Sequence, residues 1–308
     1  MHIFRQIQYS QNWNIGFCTL TEEEFIINKK IGHIHWLKHS YKDRWFADPF
    51  IYSITDRDIV VFVEELLIDR PIGYLVELII DRNTYEIRER HILLKLPTHL
   101  SYPAYIWYKG KCYVYPESGA SGKLNIYEYD PQKHTLVNPV TILNEALADA
   151  TIFKHGENDF YLIATKVPDV QEKAFLYKSS SPIEPFVPVS DAPIVLSREC
   201  SRSAGNCFNT AQTLYRPSQN CANSYGGAIA IMQVDSIWPY NEHLLFRINP
   251  FSYRYNLGIH TINFYHSHMN ESIVAIDGCG YLRPILGRIY NSKFVRYCVI
   301  QIKRAIKC

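Results

Sequence analysis

A short phrase that recurs five times along the chain constrains the fold more than any other feature. Each copy has an anchor residue by which the copies can be compared: Asp48, Pro103, Asp149, Ala204 and His260. These anchors are 55, 46, 55 and 56 residues apart. A period of roughly 40–55 residues that contains several short strands is typical of β-propellers. The spacing therefore predicts five similar blades.

Within each interval, short apolar runs alternate with Gly, Asn and Asp turns, as they do in hairpins. The first interval, for example, predicts strands over 47–52, 59–65 and 73–81. The predicted architecture is an all-β, five-bladed β-propeller, formed by residues 1–308 as a single domain. A β-sandwich or a pair of β domains is the alternative, which the regular spacing disfavours.

The two ends of the chain are predicted to have separate roles. Residues 1–40 form an N-terminal closure segment, whose strand over 13–19 would pair in the last blade and remove an exposed edge. Residues 293–308 form a basic tail. This tail either supplies a final strand over 294–302, which we favour, or makes weak contact with an anionic membrane surface.

Composition excludes several classes of function. A net charge of +2 is too small to indicate a nucleic-acid partner on electrostatic grounds. The sequence has no apolar run of about 18 residues, the length of a spanning helix. It also has no apolar core of a signal peptide near Met1. We therefore expect a cytoplasmic protein, with peripheral membrane association as the alternative.

Neither the cysteines nor the histidines form a recognisable metal motif. The eight cysteines include no CxxC pair, and the spacing of Cys200 and Cys207 fits no common zinc knuckle. His266 and His268 lie two residues apart without an evident third ligand. We expect buried reduced thiols, no metal and no cofactor.

Carboxylic residues stand where a propeller blade meets the central channel. Asp48 and Asp149 begin the first strands of blades one and three, and Glu117 ends the second strand of blade two. Glycosyl chemistry uses two such groups, one to protonate the leaving oxygen and one as base or nucleophile. Crowding would push their pKa values apart. We predict Asp48 as base, Glu117 as acid and Asp149 as their modulator; turn-forming or solvated side chains are the alternative.

Other polar residues at the same strand positions are candidate substrate contacts: Glu65, Tyr102, Arg202, Arg216, Gln219 and His260. Glu64 and Glu65 point to opposite faces of one strand, and we favour Glu65 as the one at the channel. A planar guanidinium suits a phosphate or carboxylate, although a surface salt bridge is the alternative for Arg216. For His260, a structural role is the alternative to that of a donor or base.

The order and spacing of these motifs resemble a known family. The segments 45–51, 61–65, 99–103, 115–118, 149–153, 203–205, 215–219 and 260–261 are similar to the N-terminal domain of plant glucosamine inositolphosphorylceramide transferases and its stand-alone bacterial relatives. The resemblance covers about residues 45–278 and implies a five-bladed propeller akin to furanosidases, arabinanases and β-xylosidases. In those glycosidases an Asp of blade one is base or nucleophile and a Glu is the acid, so the resemblance gives Asp48 the first role.

Two departures separate this chain from those glycosidases. They usually have a second Asp at the start of blade two, where this chain has Tyr102-Pro103. Their acid Glu generally belongs to blade three, where this chain has Asp149 instead. In the plant proteins the transferase activity is expected from a separate C-terminal domain, so the resemblance alone does not assign it here.

Three functions follow as hypotheses. The first is a cytosolic carbohydrate-active enzyme of glycan or polysaccharide biosynthesis, whose partner is a saccharide or sugar nucleotide. The second is a glycoside hydrolase of the furanosidase or arabinanase type. The third is a non-catalytic glycan-binding propeller. Because propellers host many functions, the fold alone does not choose among them.

Overall fold

A computed structural model describes residues 11–266, 271–290 and 292. The strands in these residues form five antiparallel sheets. The sheets are the blades of a β-propeller, which confirms the all-β, five-bladed prediction. In chain order the strands are β1 (Gln11–Thr19) and β2 (His35–Trp36); β3 (Arg44–Ile54), β4 (Asp58–Leu67), β5 (Arg70–Asp81) and β6 (Ile87–Leu94) in blade I; β7 (Tyr105–Tyr108), β8 (Lys111–Val114), β9 (Leu124–Asp130) and β10 (Thr135–Leu143) in blade II; β11 (Leu147–Lys154), β12 (Phe160–Lys166), β13 (Lys173–Ser179), β14 (Val187–Pro188) and β15 (Val195–Leu196) in blade III; β16 (Phe208–Thr210), β17 (Thr213–Asn220), β18 (Ala228–Ile237) and β19 (Tyr240–Ile248) in blade IV; and β20 (Ile262–His266) and β21 (Ser272–Tyr281) in blade V.

The structure contains a fourth strand in each of blades I, II and IV that the sequence analysis did not predict. Strands β6, β10 and β19 are exposed or half-buried along most of their length. Half-buried outer strands lack the regular apolar alternation by which a strand is recognised in sequence. In blade III the two short strands β14 and β15 both pair with β13.

Blade V is built from distant parts of the chain. Its strand order is β2-β1-β21-β20, and β1 pairs with β21 from Gln11↔Tyr281 to Thr19↔Ile273. The predicted strand over 13–19 is therefore β1, the third strand of this blade when the strands are counted from β20. The predicted strand over 294–302 and the basic tail 293–308 lie outside the described residues.

A short helix, α1 (Glu22–Asn28), follows β1. Thr21 and Glu24 form a capping box at its start, and Lys29 ends it in the left-handed conformation. The buried ring of Phe25 packs on Phe208 and Phe264. A second helix, α2, spans Pro284–Tyr290. Among the described residues, no helix has both the length and the apolar character needed to cross a membrane.

Apolar side chains fill the spaces between neighbouring blades. Between blades V and I, for example, Ile15 and Phe17 of β1 pack with Val61 and Leu78. Because each blade covers the apolar face of the next, removing β1 would expose one face of blade I. The core therefore holds the first strands at fixed positions around the channel.

We expect Ile15→Ala to lower the free energy of unfolding by about 2–5 kcal/mol, the usual cost of emptying a core site. Ile15 is 0% exposed between blades V and I. Ile27→Ala is the matched control, because Ile27 of α1 is 77% exposed, and we expect a change within about 0.5 kcal/mol. Urea unfolding at equilibrium measures both, and similar effects of the two changes would contradict the role given to β1.

Candidate active site in the propeller channel

β-bulges at the start of two first strands place carboxylates in the channel. The pairing of β3 with β4 shifts register between residues 47 and 50, and that of β11 with β12 shifts between 148 and 151. Asp48 and Asp149 lie at these bulges with left-handed φ values of 52° and 45°. Asp tolerates this conformation better than most residues, and a bulge redirects the side chain. Both carboxylates are consequently buried at the centre of the molecule.

The first group of channel residues surrounds Asp48. Its Oδ2 accepts a hydrogen bond from the backbone N–H of Tyr102 at 3.0 Å, and its Oδ1 accepts one from the Thr261 hydroxyl at 2.6 Å. His260 Nδ1 lies 3.5 Å from Asp48 Oδ1 and 2.6 Å from Asp277 Oδ2. Asp277 also accepts the backbone N–H groups of His260 and Thr261. Asp48 and Asp277 thus share one buried imidazole.

The second group joins Glu117 to Asp149. Arg202 donates from Nε to Asp149 Oδ2 at 2.5 Å and from Nη2 to Glu117 Oε2 at 3.2 Å. The backbone N–H of Asp149 donates to Glu117 Oε2, and Gln219 Nε2 donates to Asp149 Oδ2 at 2.6 Å. The structure therefore brings together four of the predicted site residues, with Arg202 as the cation between two carboxyl groups.

Glu64, rather than Glu65, is the residue of β4 at the channel. Glu65 lies on the other face of the strand, where Arg90 Nε is 2.5 Å from Oε2 and Arg44 Nη1 is 3.2 Å from Oε1. The preference for Glu65 in the sequence analysis is corrected by this geometry, since two arginines hold its carboxylate away from the channel. Adjacent residues of a strand point to opposite faces, so Glu64, paired with Ala47 just before the bulge of β3, and Glu65, paired with Phe46, cannot both lie at the channel.

His99 is the histidine that lies beside the Glu64 carboxyl group. The backbone N–H of Gly73 donates to His99 Nδ1 at 2.9 Å, which leaves the proton of a neutral ring on Nε2. That Nε2 lies 3.3 Å from Glu64 Oε1. Burial, followed by the charge of Arg202, lowers the pKa of His99, so the neutral ring is favoured.

The carboxyl groups of the channel differ strongly in acidity. Burial raises the pKa of Glu117 to about 8, although Arg202 opposes the shift. Burial raises the pKa of Asp48 only to about 6, because the charge of His260 opposes it. Burial and then the charges of Asp48 and Glu117 raise the pKa of Glu64 well above its usual range. At neutral pH, Glu117 is therefore mostly protonated and Asp48 is mostly ionised.

Tyr102 and Arg216 have structural partners rather than open faces. The Tyr102 side chain is fully buried, and its hydroxyl bonds Thr151 at 2.9 Å and accepts the N–H of Gly205 at 2.8 Å. Arg216, also 0% exposed, donates to Glu242 Oε2 at 2.9 Å. The predicted substrate contacts through these two side chains are corrected, because neither can reach a ligand without breaking its buried bonds.

Aromatic rings border the charged residues. Trp13 of β1 stacks on His260 with ring centroids 3.9 Å apart. Tyr225, 43% exposed, lies with its ring 5.5 Å from that of His260 and 5.3 Å from the Arg202 guanidinium carbon. The exposed ring of Tyr225 therefore offers a flat apolar surface beside the buried polar groups.

The atoms of Asp48, His260 and Asp277 that can ligate a metal lie within 4.8 Å of one another. Although burial disfavours its charged form, the charges of Asp277 and Asp48 raise the pKa of His260 to about 9. A protonated imidazole is not a ligand, so this donor set suits an ion pair better than a metal.

Sequence reasoning missed Glu64, His99, Asp277 and Tyr225. The signal for Glu64 is a comparison between blades. Glu64, Glu117 and Thr165 take the same place in blades I, II and III, each opposite the residue before the bulge. For Asp277 no such signal exists, because an Asp-Gly pair is also the usual start of a turn.

Comparison with known proteins places the chain among named families. A family model described as "Glucosamine inositolphosphorylceramide transferase 1, N-terminal" matches residues 27–245. The chain belongs to this family. It is 29% identical over 198 residues to glucosamine inositolphosphorylceramide transferase 1 of Arabidopsis thaliana, covering 62% of the chain and 26% of that protein. With the protein of that name from Oryza sativa subsp. japonica it shares 26% identity over 207 residues, 64% of the chain and 27% of the relative. The chain thus spans about a quarter of the length of these curated relatives.

Solved structures show the same fold at low sequence identity. The family 117 glycoside hydrolase Zg3597 of Zobellia galactanivorans has a TM-score of 0.54 and 11% identity, covering 88% of this chain and 91% of that one. A GH43_1 enzyme from Xanthomonas citri, complexed with xylotriose, has a TM-score of 0.51 and 14% identity, covering 75% and 86%. These likenesses establish a propeller shared with glycoside hydrolases.

We expect the stability of the protein to fall as the pH rises, and Glu117→Gln to reduce this dependence. The pKa of the Glu117 carboxyl group rises from 4.5 to about 8 on folding, so the folded state binds this proton more tightly than the unfolded state does. The stability it contributes is present below about pH 4.5 and is lost towards pH 8. Urea unfolding at pH 5 and pH 8 is the measurement.

Glu157→Gln is the control, because Glu157 is an exposed carboxylate in the turn after β11. It should leave the wild-type difference between the two pH values unchanged. If Glu117→Gln lost as much stability over this interval as the wild type, the assignment of the raised pKa to Glu117 would be wrong.

Proposed function

We propose that this protein is a carbohydrate-active enzyme of glycan biosynthesis that carries out glycosyl transfer in the propeller channel. Asp48 acts as base or nucleophile and Glu117 as acid, while Asp149 and Arg202 set the proton affinity of Glu117. The observation that carries the proposal is the placement of two differently partnered carboxyl groups in one channel: Asp48 lies beside the His260 imidazole, and Glu117 is joined through Arg202 to Asp149. In these surroundings burial raises the pKa of Asp48 to about 6 and that of Glu117 to about 8, which separates the two.

This separation gives two carboxyl groups opposite tasks at neutral pH. Glycosyl chemistry requires a protonated acid to assist departure of the leaving oxygen and an ionised carboxylate to act on the sugar or on its acceptor. Glu117 keeps its proton because it is buried, and Asp48 loses its own because His260 is charged beside it. The resemblance described in the sequence analysis implies the same role for Asp48.

The channel mouth supports a saccharide as the ligand. Tyr225 offers an exposed ring on which the apolar face of a sugar can pack, and Arg202 and Glu117 lie beside it at the polar side. Arg202 is the channel cation that a phosphorylated donor would meet, in exchange for its bonds to Asp149 and Glu117, whereas Arg216 pairs with Glu242. The family relatives are named as transferases, and one neighbouring structure holds xylotriose. These points support a saccharide or sugar nucleotide as substrate.

A specific observation favours glycan binding without turnover as the second candidate. Asp48 is 5% exposed, and both of its oxygens already accept hydrogen bonds from Tyr102 and Thr261. To act as a base, Asp48 would have to give up one of these hydrogen bonds and accept a proton from the substrate or the acceptor instead. Hydrolysis of glycosides is the third possibility, which rests on the shared fold alone. The cytoplasmic location and the weak membrane contact through the tail stay predictions.

We expect Asp48→Asn to lower kcat on the true donor or glycoside by about 10²–10⁴-fold, the usual contribution of a general base. Saccharide affinity should change little, because Asn keeps the shape and one acceptor oxygen. Turnover of a panel of sugar nucleotides and aryl glycosides is measured together with binding by calorimetry. Turnover equal to that of the wild type would exclude Asp48 from the chemistry, and binding with no turnover by the wild type would favour the second candidate.

The pH profile of kcat/KM provides an independent test. It should be bell-shaped, with limbs near the pKa values of about 6 for Asp48 and about 8 for Glu117. Glu117→Gln should remove the alkaline limb and lower the rate, whereas Glu157→Gln should leave the profile unchanged. An alkaline limb that persists in Glu117→Gln would assign the acid to another group, with Glu64 as the next to substitute.

A further inference from the structure

A second cluster of ligating side chains lies at the outer strands of blades I and II. Glu77 is on β5, His91 is on β6, and His134 lies in the turn between β9 and β10. The atoms of these three residues that can bind a metal all lie within 4.8 Å of one another. None of them belongs to the channel site described above.

Glu77 forms the buried base of this cluster. It is 1% exposed, and its Oε2 lies 2.5 Å from His134 Nδ1 while the Tyr129 hydroxyl donates to Oε1. Among the described residues, the partners of this carboxylate are therefore an imidazole and a phenol rather than a lysine or arginine. A buried carboxylate is costly unless a cation neutralises it, so the cluster is short of positive charge.

The two imidazoles lie side by side at the edge of the Glu77 carboxylate. Their ring centroids are 4.0 Å apart and the planes differ by 11°, so the rings stack. An imidazole binds a metal through a lone pair in the plane of its ring, so one of the two rings has to turn about χ2 for both to hold the same ion. The Glu89 carboxylate lies 3.0 Å from His91 Nε2. Metal-binding histidines usually have such a carboxylate partner, which orients the ring.

Backbone conformation holds His134 over Glu77. His134 has a φ of 50°, in the left-handed region that residues other than glycine rarely adopt. The turn before it is held by Asp130, whose Oδ1 accepts the N–H groups of Gln132 and Lys133.

We propose that Glu77, His91 and His134 bind a zinc ion that joins blade I to blade II. Two imidazoles and one carboxylate suit zinc, whereas calcium and magnesium prefer oxygen ligands. The ion lies between the Glu77 carboxylate and the two imidazoles, and a water molecule completes a tetrahedral shell, while Glu89 stays the outer partner of His91. Since the three ligands come from two blades, zinc stabilises the folded state as a crosslink.

The test measures zinc binding by calorimetry to the full chain after treatment with a chelator. We expect one equivalent of zinc to bind and to raise the thermal midpoint, and calcium to do neither. His134→Asn removes the imidazole but keeps a residue that tolerates the left-handed conformation. This variant and His91→Gln should each weaken zinc binding at least tenfold and abolish the zinc-dependent rise of the midpoint.

His243→Gln is the matched control, because His243 of blade IV is half exposed and also pairs with a carboxylate, that of Asp235. It should bind zinc as the wild type does. Absence of zinc binding by the wild type would overturn the proposal. So would a zinc equivalent that persists with unchanged affinity in both His134→Asn and His91→Gln, since the metal would then be held elsewhere.

Discussion

The antiparallel pairing of β1 with β21 is the contact on which both the ring and the channel depend. β1 brings Trp13 onto the ring of His260, and β21 carries Asp277, which holds the Nδ1 of the same imidazole. These strands come from regions of the chain more than 250 residues apart, as the pairing of Trp13 with Cys279 shows. Closing the ring and completing this side of the site are therefore the same structural event. Without the pairing, blade V would lack β1 and β2, and His260 would lose the stacked ring of Trp13.

Burial of like charges is the second constraint on the molecule. Five carboxyl groups, those of Asp48, Glu64, Glu117, Asp149 and Asp277, act on one another in the channel. Among the described residues, Arg202 and His260 bond directly to these groups as cations. Two cations do not neutralise five carboxylates, so some of the groups keep protons at neutral pH. The same imbalance that costs stability thus leaves protonated and ionised carboxyl groups side by side, a combination that is common at functional sites.

Features that rest on local sequence patterns could be predicted, whereas features that rest on contacts between residues distant in the chain could not. The period of the anchors is a local pattern repeated five times, and it predicted the blades correctly. Asp48, Glu117 and Asp149 were selected because strand starts and ends in a propeller meet the channel, and the structure brings all three into one network. The choice between Glu64 and Glu65 failed because adjacent carboxylates look alike in sequence, and Arg44 and Arg90 reach Glu65 only in the folded chain. Arg216 and Tyr102 were misassigned because their buried partners, Glu242 and Thr151, are distant in sequence.

The sequence by itself determined the number of blades, the family and the acidic character of the channel. Each of these follows from residue types at regular intervals, and hydrophobic periodicity is a property of neighbouring residues. The tertiary structure alone decided which carboxyl group keeps its proton, which arginine bridges two channel carboxyl groups and which histidines share a cluster with Glu77. These properties depend on burial and on distances of a few ångströms between residues of different blades. Electrostatic energy in a buried site changes steeply with both, and neither is encoded in the spacing along the chain.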